Sequence, residues 1–303
     1  MKVLIFGKNG QVGTELQRCF SGNCQVLALS REDEGGDLTK LDALEKRIRS
    51  FAPTIVFNAA AYTAVDKAET ERELARTVNV DAVRVMAKVC EEIQAVFVHY
   101  STDYVFDGKG MSQRTEDDVV APLNYYGTTK LAGEEEIRST NVKSLIFRTS
   151  WVYAEHGHNF IKTILRLAKT KEALNVVKDQ VGVPTSAKLI AEVSAQLAVR
   201  AFQGEESLLG LYNLVPHGET NWCELARYVV SYAQRHGVKQ NLLPENIKEI
   251  PTEEYPTPAK RPLNSRLSNE KVCRVYKGKI KDWRLYVDEV LESLMKMENS
   301  NEA

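Results

Sequence analysis

Met1-Lys2-Val3-Leu4-Ile5-Phe6-Gly7-Lys8-Asn9-Gly10-Gln11-Val12-Gly13 decides the fold. A mostly apolar run of strand length enters glycines at 7, 10 and 13, and a helical pattern follows from Gln11 to Phe20. In such a strand–loop–helix unit the loop N–H groups and the positive helix end can receive a pyrophosphate. The spacing is Gly-x-x-Gly-x-x-Gly, not the Gly-x-Gly-x-x-Gly of ordinary Rossmann dehydrogenases. A turn that needs glycine only for its backbone geometry is the competing reading. The strand-to-helix context favours dinucleotide binding by Gly7, Gly10, Gln11, Val12 and Gly13.

Similar runs recur outward from this unit: Gln25 to Ser30, Thr54 to Asn58, Ala95 to Tyr100 and Ser144 to Thr149. Their hydrophobicity is continuous, as in strands covered on both faces. Between them Val78, Ala82, Val85, Val89 and Ile93 recur at helical spacing. Residues 1–150 therefore read as an α/β, Rossmann-type, doubly wound parallel sheet that binds NAD(P). After Trp151 the rhythm changes. A helix over 187–202 and a strand-like 211–215 leave the segment from about 183 to 216 open to joining the first lobe. Residues 151–182 and 217–303 read as a smaller, discontinuous substrate-binding lobe, with helices from Trp222 to His236 and from Asp282 to about Met297 and a proline-punctuated stretch from Pro251 to Pro262.

The 303 residues are 43% hydrophobic and 27% charged, ordinary for a globular enzyme, with a formal net charge of -1. That balance argues against nucleic acid or an anionic membrane as partner. Five cysteines, an odd and scattered count, fit neither a disulfide framework nor a zinc knuckle and suit a reducing cytoplasm. No apolar stretch approaches the roughly 18 residues of a membrane span, and the first run is too short for a signal-peptide core. The expectation is a soluble, unexported protein.

Tyr126 and Lys130 carry the chemistry. Four apart in Tyr126-Gly127-Thr128-Thr129-Lys130, they share one helix face, and they follow Ser101-Thr102-Asp103 at a strand end. An ammonium beside a phenol favours the phenolate, so Lys130 is expected to lower a pKa that starts near ~10. A lone Tyr-x-x-x-Lys is common in helices, but with the nucleotide loop and Thr102 it describes reduction of a ketone by a nicotinamide cofactor. Ser30-Arg31 stands where an NAD enzyme would place an acidic residue, and a guanidinium suits a 2′-phosphate. NADPH is favoured, with NADH left open; a solvated Arg31 is the bland alternative. Asp37-Leu38 is a weak adenine-side signal. The small residues of Asn58-Ala59-Ala60-Ala61-Tyr62-Thr63 let a cofactor lie against the backbone or a helix pack closely. The five histidines show no metal-ligand spacing, and His99 reads as a packed core residue. Trp151 is either a core aromatic or a wall for a sugar, and Lys260-Arg261 either meets a diphosphate or is solvated.

Longer strings carry a resemblance: Phe6-Gly7-Lys8, Ala64-Val65-Asp66-Lys67-Ala68-Glu69, His99-Tyr100-Ser101-Thr102-Asp103-Tyr104-Val105-Phe106, Phe147-Arg148-Thr149-Ser150-Trp151-Val152-Tyr153 and Pro262-Leu263-Asn264-Ser265-Arg266-Leu267. With them the chain resembles the extended short-chain dehydrogenase/reductases, and nearly end to end the branch that reduces dTDP-linked 4-keto-6-deoxy sugars for bacterial surface polysaccharides. The resemblance implies that Gly10, Gln11 and Val12 hold the cofactor pyrophosphate, and that Asp37, Leu38, Ala61, Tyr62, Thr63 and Tyr100 line the rest of the cofactor cleft. Thr102 and Asp103 would meet the sugar and Trp151 would pack against it. In the implied chemistry Thr102 hydrogen-bonds the carbonyl oxygen, Tyr126 supplies the proton and Lys130 binds the nicotinamide ribose. Two departures matter. An aspartate often stands at the position of Ser30, so its loss here supports NADPH. Some relatives hold an intersubunit magnesium; Glu15 matches one carboxylate ligand, but Lys188 replaces another, which argues against that metal and its mode of pairing, and a homodimer stays open. Rivals are a dehydratase, which usually has glutamate where Tyr104 stands, an epimerase with the same three residues, and a non-enzymatic regulatory subunit.

Overall fold

The computed structural model describes residues 1–22 and 24–302, with side chains to Met297. The first half is a run of βα units: β1 (Lys2–Phe6), α1 (Gln11–Cys19), β2 (Gln25–Leu29), α2 (Leu41–Phe51), β3 (Ile55–Asn58), α3 (Arg72–Arg76), α4 (Ala82–Glu92), β4 (Val96–Thr102), α5 (Tyr125–Arg138) and β5 (Ser144–Thr149). The strands are parallel, in the order β2-β1-β3-β4-β5. Alternate residues of each strand serve opposite faces. Leu4, Phe6, Val56, Phe97 and Ile146 pack with Leu44, Ile48, Met86 and Ile137 of α2, α4 and α5. Val3, Ile5, Phe57, Val98 and Phe147 pack on the other face with Leu16 of α1. Two buried faces explain the unbroken apolar runs, and each fully buried side chain of this size contributes roughly 1.5–3 kcal/mol.

Further along come β6 (Val152–Tyr153), α6 (Phe160–Ala168), β7 (Leu174–Val177), β8 (Val181–Gly182), β9 (Thr185–Ser186), α7 (Ala187–Phe202), β10 (Gly210–Asn213), β11 (Thr220–Asn221), α8 (Trp222–Arg235), β12 (Ile247–Ile250), α9 (Glu270–Val275) and α10 (Trp283–Glu302). β10 pairs in parallel with β5 as the sixth strand of the main sheet, and Leu189, Ile190, Val193 and Leu197 of α7 join the core on the α1 face. Small two-stranded pairings, β7 with β12, β8 with β11 and β6 with β9, link the remaining segments. The stretch between Pro251 and Pro262 is tied to the ends of the sheet strands: Arg261 pairs with Asp66 at 2.7 Å, and Asn124 Nδ2 donates to Lys260 O at 2.8 Å. Among the described residues, no helix is long and apolar enough to cross a membrane.

Strand order reverses between β1 and β3, the switch point where sheets of this kind leave a crevice at the carboxyl ends of their strands. Gly7 ends β1 there with φ +86°, and a Cβ on it would stand 2.7 Å from Ala59 O. Only glycine keeps the two strand ends this close.

Candidate active site

One cleft of about 810 Å³ opens at this switch point. Gly7, Gly10, Gln11, Val12, Ser30, Arg31, Ala61, Thr63, Tyr100, Thr102, Asp103, Tyr126, Lys130 and Trp151 all line it. α1 begins at the cleft with Gly10 as its cap, and no side chain caps it. Its positive end is therefore open to an anion, which fits a dinucleotide pyrophosphate.

Four residues expected to hold cofactor do not line the cleft. Gly13 is a packing residue: a Cβ there would sit 2.1 Å from Gly7 O, so it lets α1 lie against the loop. Leu38 is a core side chain, 5% exposed, whose neighbours are the apolar residues of α2 and α4. Asp37 turns Oδ1 back to Thr39, accepting from its N at 3.0 Å and its Oγ1 at 2.8 Å. The Tyr62 hydroxyl bonds Glu71 at 2.8 Å. Local spacing cannot separate a side chain that faces the cleft from one that faces the core behind it.

Beyond β2, sequence reading missed Asp33. Its Oδ2 accepts from Ser30 N (2.6 Å) and Ser30 Oγ (2.7 Å) and pairs with Lys8 at 2.7 Å, which holds it well below the usual carboxylate range. Ser30's hydroxyl is thus engaged with Asp33. Arg31 extends at the rim, 76% exposed, with Asp37 at 3.8 Å as a loose partner.

Tyr126 lies in the first turn of α5, where Asn124 Oδ1 accepts from Gly127 N at 2.8 Å. A Cβ on Gly127 would meet Tyr104 O at 2.2 Å, so this glycine brings the helix against the Tyr104 backbone. The Tyr104 and Tyr126 rings meet edge to face, centroids 5.6 Å apart. Thr102 donates to Asp103 Oδ1 at 3.0 Å and accepts from Tyr104 N at 3.2 Å. Asp103 Oδ2 is buried without a hydrogen-bond partner, and burial pushes this carboxyl up to about 6, against the opposing pull of the Ser265 and Thr102 hydroxyls.

The expected acidification of Tyr126 by Lys130 is not realised here. Burial raises the phenol above its ordinary value, the Asp103 charge adds to the rise, and the Thr102 hydroxyl opposes it. Lys130 instead donates to Tyr100 O at 2.7 Å and lies 3.3 Å from His99 Nε2. Burial pulls its ammonium down to about 8, while Glu134 one turn on pulls it up. Glu134 is itself buried, bonded to Arg148 and to Ser101 Oγ at 2.5 Å. Helical spacing fixed the shared face but not the competing acceptors.

Trp151 has φ +47° and stacks on Trp222, centroids 3.8 Å apart and planes 20° from parallel. It is both a packed aromatic and part of the cleft wall. Past Trp222 and Tyr104 lies a second cavity of about 440 Å³, lined by Phe160, Ile164, Leu167, Val176, Tyr255 and Arg261 among others.

The carboxylates implicated in an intersubunit cation are already paired. Arg18 bonds both Glu15 (2.9 Å) and Glu155 (2.7 Å), and Lys188 holds Glu289 at 3.3 Å. Glu15, Glu155 and His156 do bring three potential ligand atoms within 4.8 Å of one another. Arg18 supplies the countercharge there, and the imidazole is a poor partner for magnesium, which prefers oxygen.

Fold and cleft together define a nicotinamide-dependent oxidoreductase of the short-chain dehydrogenase/reductase type. The chain belongs to the family described as the RmlD substrate binding domain, whose model matches residues 1–296. It is 45% identical over 296 residues to the dTDP-4-dehydrorhamnose reductase of Escherichia coli strain K12, spanning 97% of this chain and 98% of that protein. Among solved structures it is similar to a dTDP-4-dehydrorhamnose reductase from Clostridium acetobutylicum, with TM-score 0.88 and 35% identity over 97% of this chain and 100% of that one. Another, from Bacillus anthracis in complex with NADP, gives TM-score 0.83 and 32% identity over 98% and 99%.

Proposed function

We propose that the chain reduces the 4-keto group of dTDP-4-dehydro-β-L-rhamnose to dTDP-β-L-rhamnose, the last step in making that nucleotide sugar. The observation that carries this reading is the convergence of Thr102, Tyr126 and Lys130 on one cleft, in a chain similar over nearly its whole length to reductases of that name. The cofactor is NADPH, with NADH also admitted; it supplies the hydride. Gly7, Gly10, Gln11 and Val12 bind its pyrophosphate at the open end of α1, and Arg31 is free to meet a 2′-phosphate.

Thr102 donates a hydrogen bond to the keto oxygen, and Tyr126 gives its phenolic proton to the alkoxide as charge develops there. An elevated phenol pKa suits this direction: Tyr126 stays protonated until the alkoxide, a stronger base, takes the proton. Lys130 contributes positive charge beside the cleft and binds the nicotinamide ribose. Asp103 and Trp151 flank the sugar, and the second cavity, apolar with Arg261 at its edge, takes the nucleotide half of the substrate. Residues 1–150 with about 183–216 serve as the cofactor lobe and the remainder as the substrate lobe. Five unpaired cysteines fit work in a reducing cytoplasm.

NADPH absorbance followed against product sugar tests the assignment. One NADPH should disappear for each dTDP-β-L-rhamnose formed. Interconversion of nucleotide sugars with no net NADPH loss would make the chain an epimerase instead, and inactivity with a co-purifying enzyme would favour a regulatory subunit.

A further inference from the structure

Lys130 is 2% exposed, and its ammonium contacts belong to β4: Tyr100 O at 2.7 Å and His99 Nε2 at 3.3 Å. The other nitrogen of that imidazole, Nδ1, lies 3.2 Å from Asn58 Nδ2 at the end of β3. Asn58 and His99 are each 1% exposed, so the three side chains form a row closed to water. Burial and the neighbouring cation hold His99 well below its ordinary pKa, so the imidazole is neutral, with one N–H and one lone pair.

With the Asn58 amide nitrogen on Nδ1, the lone pair is at Nδ1 and Nε2–H faces Lys130. That arrangement suits a neutral amine. An ammonium offers only donors, so it needs the lone pair on Nε2; the proton then moves to Nδ1, and Asn58 must present its oxygen. Turning the amide gives up one long contact, Ala60 N to Asn58 Oδ1 at 3.3 Å. Each member of the row can therefore be inverted without leaving a buried side-chain group unpaired.

We propose that Asn58 and His99 are positioning residues for Lys130, forming a tautomeric row whose hydrogen-bond direction follows the charge on that lysine. The inference rests on the reading of Lys130 as a member of the reductase site. While Lys130 is charged, the row gives it a second acceptor where water cannot reach. Once it is neutral, the row donates to it and keeps Nζ in place. Hydrogen bonds to charged groups are worth roughly 1.5–3 kcal/mol against 0.5–1.5 for neutral ones, so the row favours the ammonium. The other groups facing Lys130 are Glu134 and Tyr126 from its own helix and Asp103 beyond the end of β4, with Arg148 on β5 compensating Glu134.

Two measurements test it. Nitrogen-15 NMR of labelled imidazoles in the full-length protein should show His99 neutral throughout, as the Nδ1–H tautomer below pH ~8 and the Nε2–H tautomer above it. A tautomer that does not change across the Lys130 titration, or a cationic His99 at neutral pH, overturns the proposal. In turnover, His99→Leu should move the alkaline limb of kcat/KM down by about one pH unit. His99→Gln, whose amide can turn either way, should restore it. An unshifted limb in a His99→Leu protein with wild-type melting temperature also overturns it. Should the wild type lack reductase activity, the reductase reading falls while NMR still decides the row. Should an active wild type show a static tautomer, the row falls and the reading stands.

Discussion

Glu134 and Arg148 meet in a two-pronged ion pair sealed inside the molecule, Oε1 to Nε at 2.9 Å and Oε2 to Nη2 at 2.7 Å, with side chains 0% and 1% exposed. The guanidinium also lies over the Phe106 ring, 5.1 Å from its centroid. This pair anchors α5 to β5 one turn from Lys130, so the catalytic helix is fixed from its buried side.

Removing one partner leaves the other charge buried and alone. Arg148→Ala should therefore lower stability by about 3–5 kcal/mol in urea unfolding, whereas Arg148→Met with Glu134→Leu should recover much of the loss. An Arg148→Ala protein as stable as wild type would show that the pair does not hold the helix.

Lys130 sets the alkaline limit of activity. Burial brings its pKa to about 8, and the mechanism needs its charge, so kcat/KM should fall as pH rises through ~8. Because its folded pKa is depressed, ionised Lys130 costs stability below ~8, and that cost fades as pH rises toward its ordinary value. Glu134→Gln removes the charge that holds the pKa up and should bring the limb to lower pH. A limb that does not move would place the titration elsewhere.

Asp103 should behave in the opposite sense. Its folded pKa of about 6 lies above the ordinary carboxyl value, so its charge is a penalty present in full above ~6 and relieved as pH falls through ~6 toward 4. Asp103→Asn should raise stability at pH 7 by about 1–3 kcal/mol and flatten the pH dependence across that window. It should also raise KM for the sugar. No stabilisation at pH 7 would mean that Asp103 is solvated in solution.

Much of this was legible because it is local. Ser144–Thr149 was read as a strand and is one, since two covered faces leave an unbroken apolar run in the sequence. Gly7, Tyr126 and Lys130 were legible because a loop and a helical turn are short-range geometry. What a cation touches across strands was not. His99 looked like core packing and is buried, yet it also contacts Lys130 through a pairing of β4 with α5 that no spacing encodes. Asn79 escaped notice for a similar reason. It sits in a π turn between α3 and α4, Thr77–Asp81, and bonds both the Tyr62 backbone and Thr129 Oγ1. A continuous helix pattern does not announce such a break. Leu38 and Gly13 were placed at the cofactor by position along the chain, and packing decided otherwise.

The most direct test of the account is Tyr126→Phe, which deletes one hydroxyl and keeps the ring against Tyr104. NADPH affinity, read by fluorescence titration, should stay near wild type, while single-turnover reduction of dTDP-4-dehydro-β-L-rhamnose should slow by about 10²–10⁴-fold. Reduction at the wild-type rate by this variant would contradict the claim that the Tyr126 phenol supplies the proton.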